Sequence, residues 1–378
     1  MSILTSRDTR YTSWLEIDLH TLARNYRILK ARLGQSVSIV SIVKANAYGH
    51  GVKNVVSVAL EEGVSMFGVA TLQEAIELRE AFADITIIVL DVNFTQDASC
   101  ILEYNLQPIV YTHEMLAALN EAGKQWGRKV PVHLKIDTGM GRVGVWHEDA
   151  IQFISQAFSY EYISIVGICS HFAVAESDFS YSLAQWEAFA FIVDYFKNKG
   201  IVFPYYHLAN SAGTFVSGLP VYNLVRLGII TYGIMPRRHN VNELGLEPIL
   251  SWRTRVIYCK DVPKGRSIGY GCTYIAPHRT YIATVPIGYA DGYLRSLSNK
   301  GVVLINGKRC NVVGRVAMDH IMVDVGSQAP VEVGAEVTLI GKQQGEIISC
   351  EELGELAGTI PYEITCNAGH RAQRIYIS

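Results

Sequence analysis

The sequence is short of the signatures that assign a protein quickly. Its seven cysteines, at 100, 169, 259, 272, 310, 350 and 366, form no CxxC pair, and an odd number leaves one over in any disulfide scheme. Reduced thiols are the expectation. Eleven histidines are scattered without HExxH or any other metal-ligand spacing, so no catalytic metal is predicted. No GxGxxG follows an early apolar run, which removes support for a dinucleotide-binding doubly wound sheet. Charge is sparse and balanced: charged residues make up 18% and the formal net charge is -2, so no basic stripe invites nucleic acid. No stretch reaches the apolar length of a membrane span, and the opening residues MSILTSRDTRYTSW lack a signal-peptide core. A cytoplasmic protein with small-molecule or protein partners, no nucleic acid and no membrane is the resulting expectation.

The chain does have length and apolar content. Its 378 residues, 49% hydrophobic, suffice for about two domains with a sizeable core. Apolar runs at 39–45, 67–71, 86–91, 107–112, 132–139, 165–172, 205–210 and 223–232 alternate with amphipathic stretches such as 72–82, 113–122 and 183–198. Asp18 or Thr21 can cap an earlier helix that ends near Gly34. Eight such alternations over about 230 residues predict an α/β fold of the (β/α)8 barrel type. Near 235–248 the pattern breaks into a polar connector, and beyond it the runs alternate at strand period, with Asn306-Gly307 as a type I′ hairpin turn. The expected division is a barrel over 1–242 and a mostly β domain over 243–378.

The stretch VKANAYGHG, 43–51, stands out. A lysine closing a buried strand loses ammonium solvation, its pKa falls, and the free amine can condense with an aldehyde. Taken singly, Lys44 reads as a lysine snorkelling over the end of a sheet. Asn46, Tyr48, Gly49, His50 and Gly51 add polar groups and pliable backbone where a strand passes into a loop. A barrel also requires its chemistry at the C-terminal strand ends. Lys44 ends the first run, Asp137 and Arg142 follow the fifth, His171 ends the sixth, Asn210 and Ser211 end the seventh, and Arg226 with Gly228 lies in the eighth. Ser211, Gly228 and the backbone of Ile229 could supply phosphate donors, with Tyr48 adding a hydroxyl.

Together VKANAYGHG, LKIDTGMGRVG (134–144), CSHFAVAE (169–176), HLANSAG (207–213), VRLGIITYG (225–233), SIGYG (267–271), IGYADGYLRSLSNKG (287–301), VGRVAMDHIMVDV (313–325) and IPYE (360–363) resemble the alanine racemase family, in order and across both domains. The resemblance implies an isomerase that uses pyridoxal 5′-phosphate (PLP) to interconvert L- and D-alanine, either supplying D-alanine as a peptidoglycan precursor or feeding its breakdown. It also implies a homodimer whose two active sites are shared between subunits. Racemisation of serine, or of a broader set of amino acids, is the nearest alternative. A PLP-binding regulatory protein lacks the second domain, and a decarboxylase on the same barrel would need a glycine-rich phosphate loop and a catalytic cysteine not evident here.

Position by position, Lys44 would hold PLP covalently and act as base on one face of the substrate, and Tyr270, from the partner's β domain, on the other. Arg226 would donate to the pyridine nitrogen and weaken the cofactor as an electron sink. Arg142 would reach the cofactor's phenolic oxygen and the substrate carboxylate. Lys135 resembles a lysine the family can carry as an N-carboxylate; unmodified, it would pair with Asp137. His171 would lie against the cofactor and position Tyr270 through Arg226. Tyr48, Asn210, Ser211, Gly228, Ile229 and Tyr362 would complete the cofactor site. Met318 and Tyr289 would bind substrate, Asp319 would belong to the catalytic set, and Arg295, Arg315 and Glu176 would form an outer polar ring. Ala317 in place of an expected cysteine, Asp91 in place of glycine, and Glu176 in place of aspartate depart from the family pattern.

Overall fold

The structure, a computed structural model, describes residues 10–91, 94–215, 217–235 and 244–378. These form two compact units, one of residues 26–47 and 52–231, the other of the remaining described residues. The domain boundary expected at 242/243 falls within 236–243, outside the described residues.

The first unit is built on eight parallel strands: β1 (Ser38–Ile42), β2 (Met66–Val69), β3 (Thr86–Val89), β4 (Gln107–Val110), β5 (Val130–Asp137), β6 (Ile163–Cys169), β7 (Tyr205–His207) and β8 (Leu224–Leu227). Each coincides with one of the eight apolar runs in the sequence. Hydrogen bonding runs β8-β1-β2-β3-β4-β5-β6-β7, and the Arg226 amide closes the ring on the Ala209 carbonyl at 3.0 Å. All the strands but β5 are shorter than their apolar runs, because the C-terminal ends of those runs turn away as mouth loops. Lys44 therefore lies two residues beyond its strand, and His171 two beyond Cys169. The connecting helices follow their end signals. Thr71 and Glu74 form a capping box on Leu72–Ala81, Thr112 caps His113–Trp126, and Gly127 ends that helix at φ 65°. The helix at 183–198 begins earlier than expected, because the Asp178 side chain caps Phe179–Asn198.

The second unit is mostly β. One sheet runs in the order Tyr258–Val262, Thr280–Val285, Ile321–Gly326, Lys308–Val312, Val302–Ile305, Glu336–Gln343, Leu250–Arg255, Trp14–Asp18, Gln373–Ile377. Asn306 and Gly307, at φ 51° and 72°, make the tight turn expected of them. Trp14–Asp18, on the barrel side of the expected boundary, pairs antiparallel with Leu250–Arg255 and parallel with Gln373–Ile377. Five residues carry too little pattern to be told from the start of a helix, and only the sheet they join identifies them. Among the described residues no helix is long and apolar enough to cross a membrane. No disulfide joins any of the seven cysteines.

Candidate active site

Beyond Ile42 the chain makes a turn that L-residues seldom make. Ala45, Asn46, Ala47 and Tyr48 all have φ between 52° and 54°. Each left-handed L-residue costs roughly 1–2 kcal/mol, so the turn persists only because its surroundings hold it. The Ala45 amide donates to Glu74 Oε1 at 2.7 Å, the Ala47 amide to the Val43 carbonyl at 2.8 Å, and the Val52 amide to Asn46 Oδ1 at 2.9 Å. Glu74 Oε2 also accepts the amides of Ala70 and Thr71, at 2.8 and 3.3 Å. This carboxylate joins the loops after β1 and β2 and fixes where half-buried Lys44 stands. In the sequence Glu74 is marked only by the capping-box pattern Thr71-x-x-Glu74, which does not signal this bracing of the lysine turn.

Arg226 is the centre of the barrel mouth. It is 5% exposed and spends both terminal nitrogens on the strand ends around it. Nη1 donates to His207 Nδ1 at 2.7 Å and to the His207 carbonyl at 2.9 Å. Nη2 donates to the Ser170 carbonyl at 2.7 Å, His171 Nδ1 at 2.9 Å and the Leu208 carbonyl at 3.1 Å. A guanidinium has no acceptor, so both imidazoles present lone pairs at Nδ1 and carry their protons on Nε2. Burial, and then the Arg226 charge, hold both rings well below the usual imidazole pKa. The charges of Lys135, Arg142 and Lys44 press His171 the same way.

Four cationic side chains thus bear on one neutral ring. Lys135 is 6% exposed, and its amine is lowered to about 7 by burial, with Arg226 and Arg142 adding to the effect and Cys169 and Asp137 partly opposing it. The ion pair expected between Lys135 and Asp137 does not form. Asp137 Oδ1 instead accepts the amides of Gly139, Met140 and Gly141 at 2.8, 2.8 and 3.1 Å, anchoring the turn that ends in exposed Arg142. The expected phosphate donors lie together after β7 and β8. Gly228 donates to Ser211 Oγ at 3.1 Å, leaving that hydroxyl its own proton to give, and the Ile229 amide opens the turn Ile229–Tyr232. Asn210 is committed locally: Oδ1 accepts the Gly213 amide at 2.8 Å, and its carbonyl accepts the Thr214 hydroxyl at 2.7 Å.

The remaining candidates belong to the β unit and cluster within it. Tyr48 is buried, its ring 5.4 Å from that of Tyr232 and 5.9 Å from that of Tyr362, and burial pushes its hydroxyl pKa up. Tyr289 and Met318 share a loop pair in which the Tyr289 amide donates to the Ala317 carbonyl at 3.0 Å and the Ala290 amide to the Met318 carbonyl at 3.1 Å. Gly288 permits this approach, since a Cβ there would meet the Met318 carbonyl oxygen at 2.2 Å. Asp319 pairs with Arg371 at 2.9 Å, and Arg371 also grips Asp291 through two 2.8 Å bonds. Asp319 thereby acts as a tether in this unit. Tyr270 opens a short turn after Gly269 and is 73% exposed; Met318 is 52% and Tyr289 42% exposed. His133 and Gln107, which the sequence reading did not single out, join the barrel network from below. His207 Nε2 stands 3.0 Å from His133 Nδ1, and His133 Nε2 is 3.1 Å from Gln107 Oε1.

This is a barrel enzyme followed by a β domain, with a basic mouth suited to a small anion and a lysine on a braced turn beside it. The alanine racemase N-terminal domain model matches residues 17–236 and the C-terminal domain model residues 249–376, so the chain belongs to the alanine racemase family and is an isomerase. It is 42% identical to the alanine racemase of Halothermothrix orenii, covering 99% of this chain and 98% of that one. It is also 42% identical to that of Carboxydothermus hydrogenoformans, over 96% and 99%. Among solved structures, alanine racemase from Bacillus anthracis with bound L-Ala-P is 36% identical at TM-score 0.88, covering 98% of this chain and 96% of that one. The Bartonella henselae enzyme with covalently bound pyridoxal phosphate is 28% identical at TM-score 0.86, covering 97% and 99%.

Proposed function

We propose that this alanine racemase uses PLP held by Lys44, and inverts alanine with two bases, Lys44 on one face and Tyr270 of the partner subunit on the other. The observation that carries the reading is the convergence of Lys44, Lys135, Arg142 and Arg226 on the neutral His171, with Asp137 the one carboxylate among the described residues that acts on Lys135 there. A mouth so charged needs an anionic occupant, and a phosphorylated aldehyde beside an amine meets that need.

The residues present fit that group. Ser211 retains a hydroxyl proton beside the Gly228 amide, and the Ile229 amide is unused within its own turn, which suits a phosphate. Bound PLP acidifies the substrate Cα proton by delocalising the resulting charge. Arg226 presents only donors, and both flanking imidazoles are neutral, so nothing in its shell can protonate a pyridine nitrogen. That keeps the electron sink weak and favours return of the proton to Cα over transfer elsewhere. Arg142, exposed at the end of the turn that Asp137 anchors, has forked donors for a carboxylate. Lys44 takes or returns the proton on its own face. Inversion requires an opposing donor, and the exposed Tyr270 phenol supplies one if a second copy presents it. Tyr289, Met318 and Tyr362 then wall a narrow entrance that admits a methyl side chain. With its pKa near 7, the Lys135 amine is in part unprotonated, the form that takes up carbon dioxide as an N-carboxylate.

The test begins with the visible spectrum of purified protein given PLP, followed by borohydride reduction and peptide mapping. Label on Lys44 is expected, and label elsewhere overturns the assignment. Tyr270→Ala should slow Cα proton exchange from one enantiomer far more than from the other; equal losses contradict two bases. L-serine turned over faster than L-alanine would change the substrate.

A further inference from the structure

The barrel core below Arg226 holds polar groups that the proposed reaction does not use. His133 and His207 are both 0% exposed, on neighbouring stretches of an interior that barrels usually fill with branched apolar side chains. Their rings meet edge to face with centroids 4.9 Å apart. Gly167 on β6 leaves the space: a Cβ there would lie 2.4 Å from His133 Nδ1. The arrangement is therefore built in by three strands rather than left by loose packing.

The bonds along it have a single direction. Arg226 can only donate, so His207 accepts at Nδ1 and carries its proton on Nε2. That proton points at His133 Nδ1, 3.0 Å away, which must be the unprotonated nitrogen of its ring. The His133 proton is then on Nε2, 3.1 Å from Gln107 Oε1. Gln107, the first residue of β4, ends the chain with an amide oxygen. Reversing the direction would give His207 a proton on Nδ1, facing the Arg226 Nη1 proton across 2.7 Å. Removing the final acceptor instead strands a buried N–H.

We propose that Gln107 and His133 are positioning residues: the Gln107 carbonyl, acting through His133 and His207, sets the tautomers that hold Arg226 in place at the barrel mouth. Neither touches the proposed cofactor. The chain does not conduct protons, because arginine cannot accept one. The low basicity of His133, lowered to about 3 by burial and by Arg226, keeps both rings neutral throughout.

The consequence for turnover rests on the PLP reading above, whereas the tautomers are a property of this chain alone. The test is nitrogen-15 imidazole NMR on the purified protein, with and without PLP, which distinguishes Nδ1–H from Nε2–H at each ring. Wild type should show Nε2–H at His133, His207 and His171. Gln107→Met keeps the length but lacks the acceptor, so resonances of His133 and His207 should move toward mixed tautomers, with kcat down about tenfold and KM little changed. Gln107→Glu restores an oxygen and should restore the native pattern. Gly167→Ala should produce the mixed pattern with Gln107 intact, by pushing the His133 ring off His207. Unmixed Nε2–H signals in both Gln107→Met and Gly167→Ala overturn the proposal. Wild-type protein that shows the predicted tautomers but binds no PLP refutes the PLP reading and leaves this one standing.

Discussion

Glu74 accepts the amide of Ala45 at 2.7 Å, one residue past Lys44, and with its other oxygen the amides of Ala70 and Thr71. One carboxylate thus holds two mouth loops and a left-handed turn. Glu74→Ala should cost about 1–3 kcal/mol of stability, because the donors lose a charged acceptor. Racemisation should fall about 10–100-fold, since the lysine turn is no longer held. Glu74→Gln keeps one oxygen and should lie between the two. Urea denaturation with a racemisation assay checks both, and full activity in Glu74→Ala would show that Lys44 is placed by other contacts.

Ala45 is exposed at φ 52°. Glycine there removes the left-handed penalty of roughly 1–2 kcal/mol and adds back about 0.5–1 kcal/mol of backbone entropy. Ala45→Gly should therefore raise stability by about 0.5 kcal/mol. A lower urea midpoint would mean that the turn is not left-handed in solution.

The pH dependence of Lys135 has a definite sign. Its amine titrates near 7 in the fold against an ordinary value of 10.5, so between these the unfolded chain binds the extra proton. Stability then rises with pH across that window, and the cost of burying the ammonium is full below pH 7 and gone by about pH 10. Lys135→Met in carbon-dioxide-free buffer should be more stable than wild type at pH 6, by on the order of a few kcal/mol, with the gain shrinking to nothing near pH 10. A gain independent of pH would assign the effect to packing.

Asp137 anchors three amides through one oxygen. Asp137→Ala should free the turn that presents Arg142 and raise KM for alanine more than it lowers kcat, because Arg142 is proposed to grip the substrate carboxylate. The reverse split would place Arg142 in the proton-transfer step.

Mixing inactive Lys44→Ala and Tyr270→Ala proteins tests the shared site. A heterodimer with one intact site should recover up to about a quarter of wild-type activity if the residues come from different chains. No recovery after confirmed subunit exchange would put both in one subunit.

Much of this could be read without coordinates. The eight barrel strands were legible because each lies in a short apolar run between turn signals, and Lys44, His171 and Arg226 because they stand at strand ends. The Asn306-Gly307 turn was legible from its dipeptide. Trp14–Asp18 was not, since its partners are the distant segments Leu250–Arg255 and Gln373–Ile377. Nor was the left-handed run after Lys44: alanine and tyrosine do not signal positive φ. Gln107 and His133 look like ordinary strand residues until β4, β5, β6 and β7 are side by side.

The order of residues along the chain determined the strand and helix periods, the motif spacings and which chemical groups are available at each strand end, because these depend on neighbours a few positions apart. Tertiary structure alone decided which nitrogens of His171 and His207 carry the proton, that Glu74 reaches the Ala45 amide, and that Lys135 makes no ion pair with Asp137. Those outcomes depend on donors and acceptors brought within about 3 Å from distant parts of the chain, where burial makes an unmatched polar group costly.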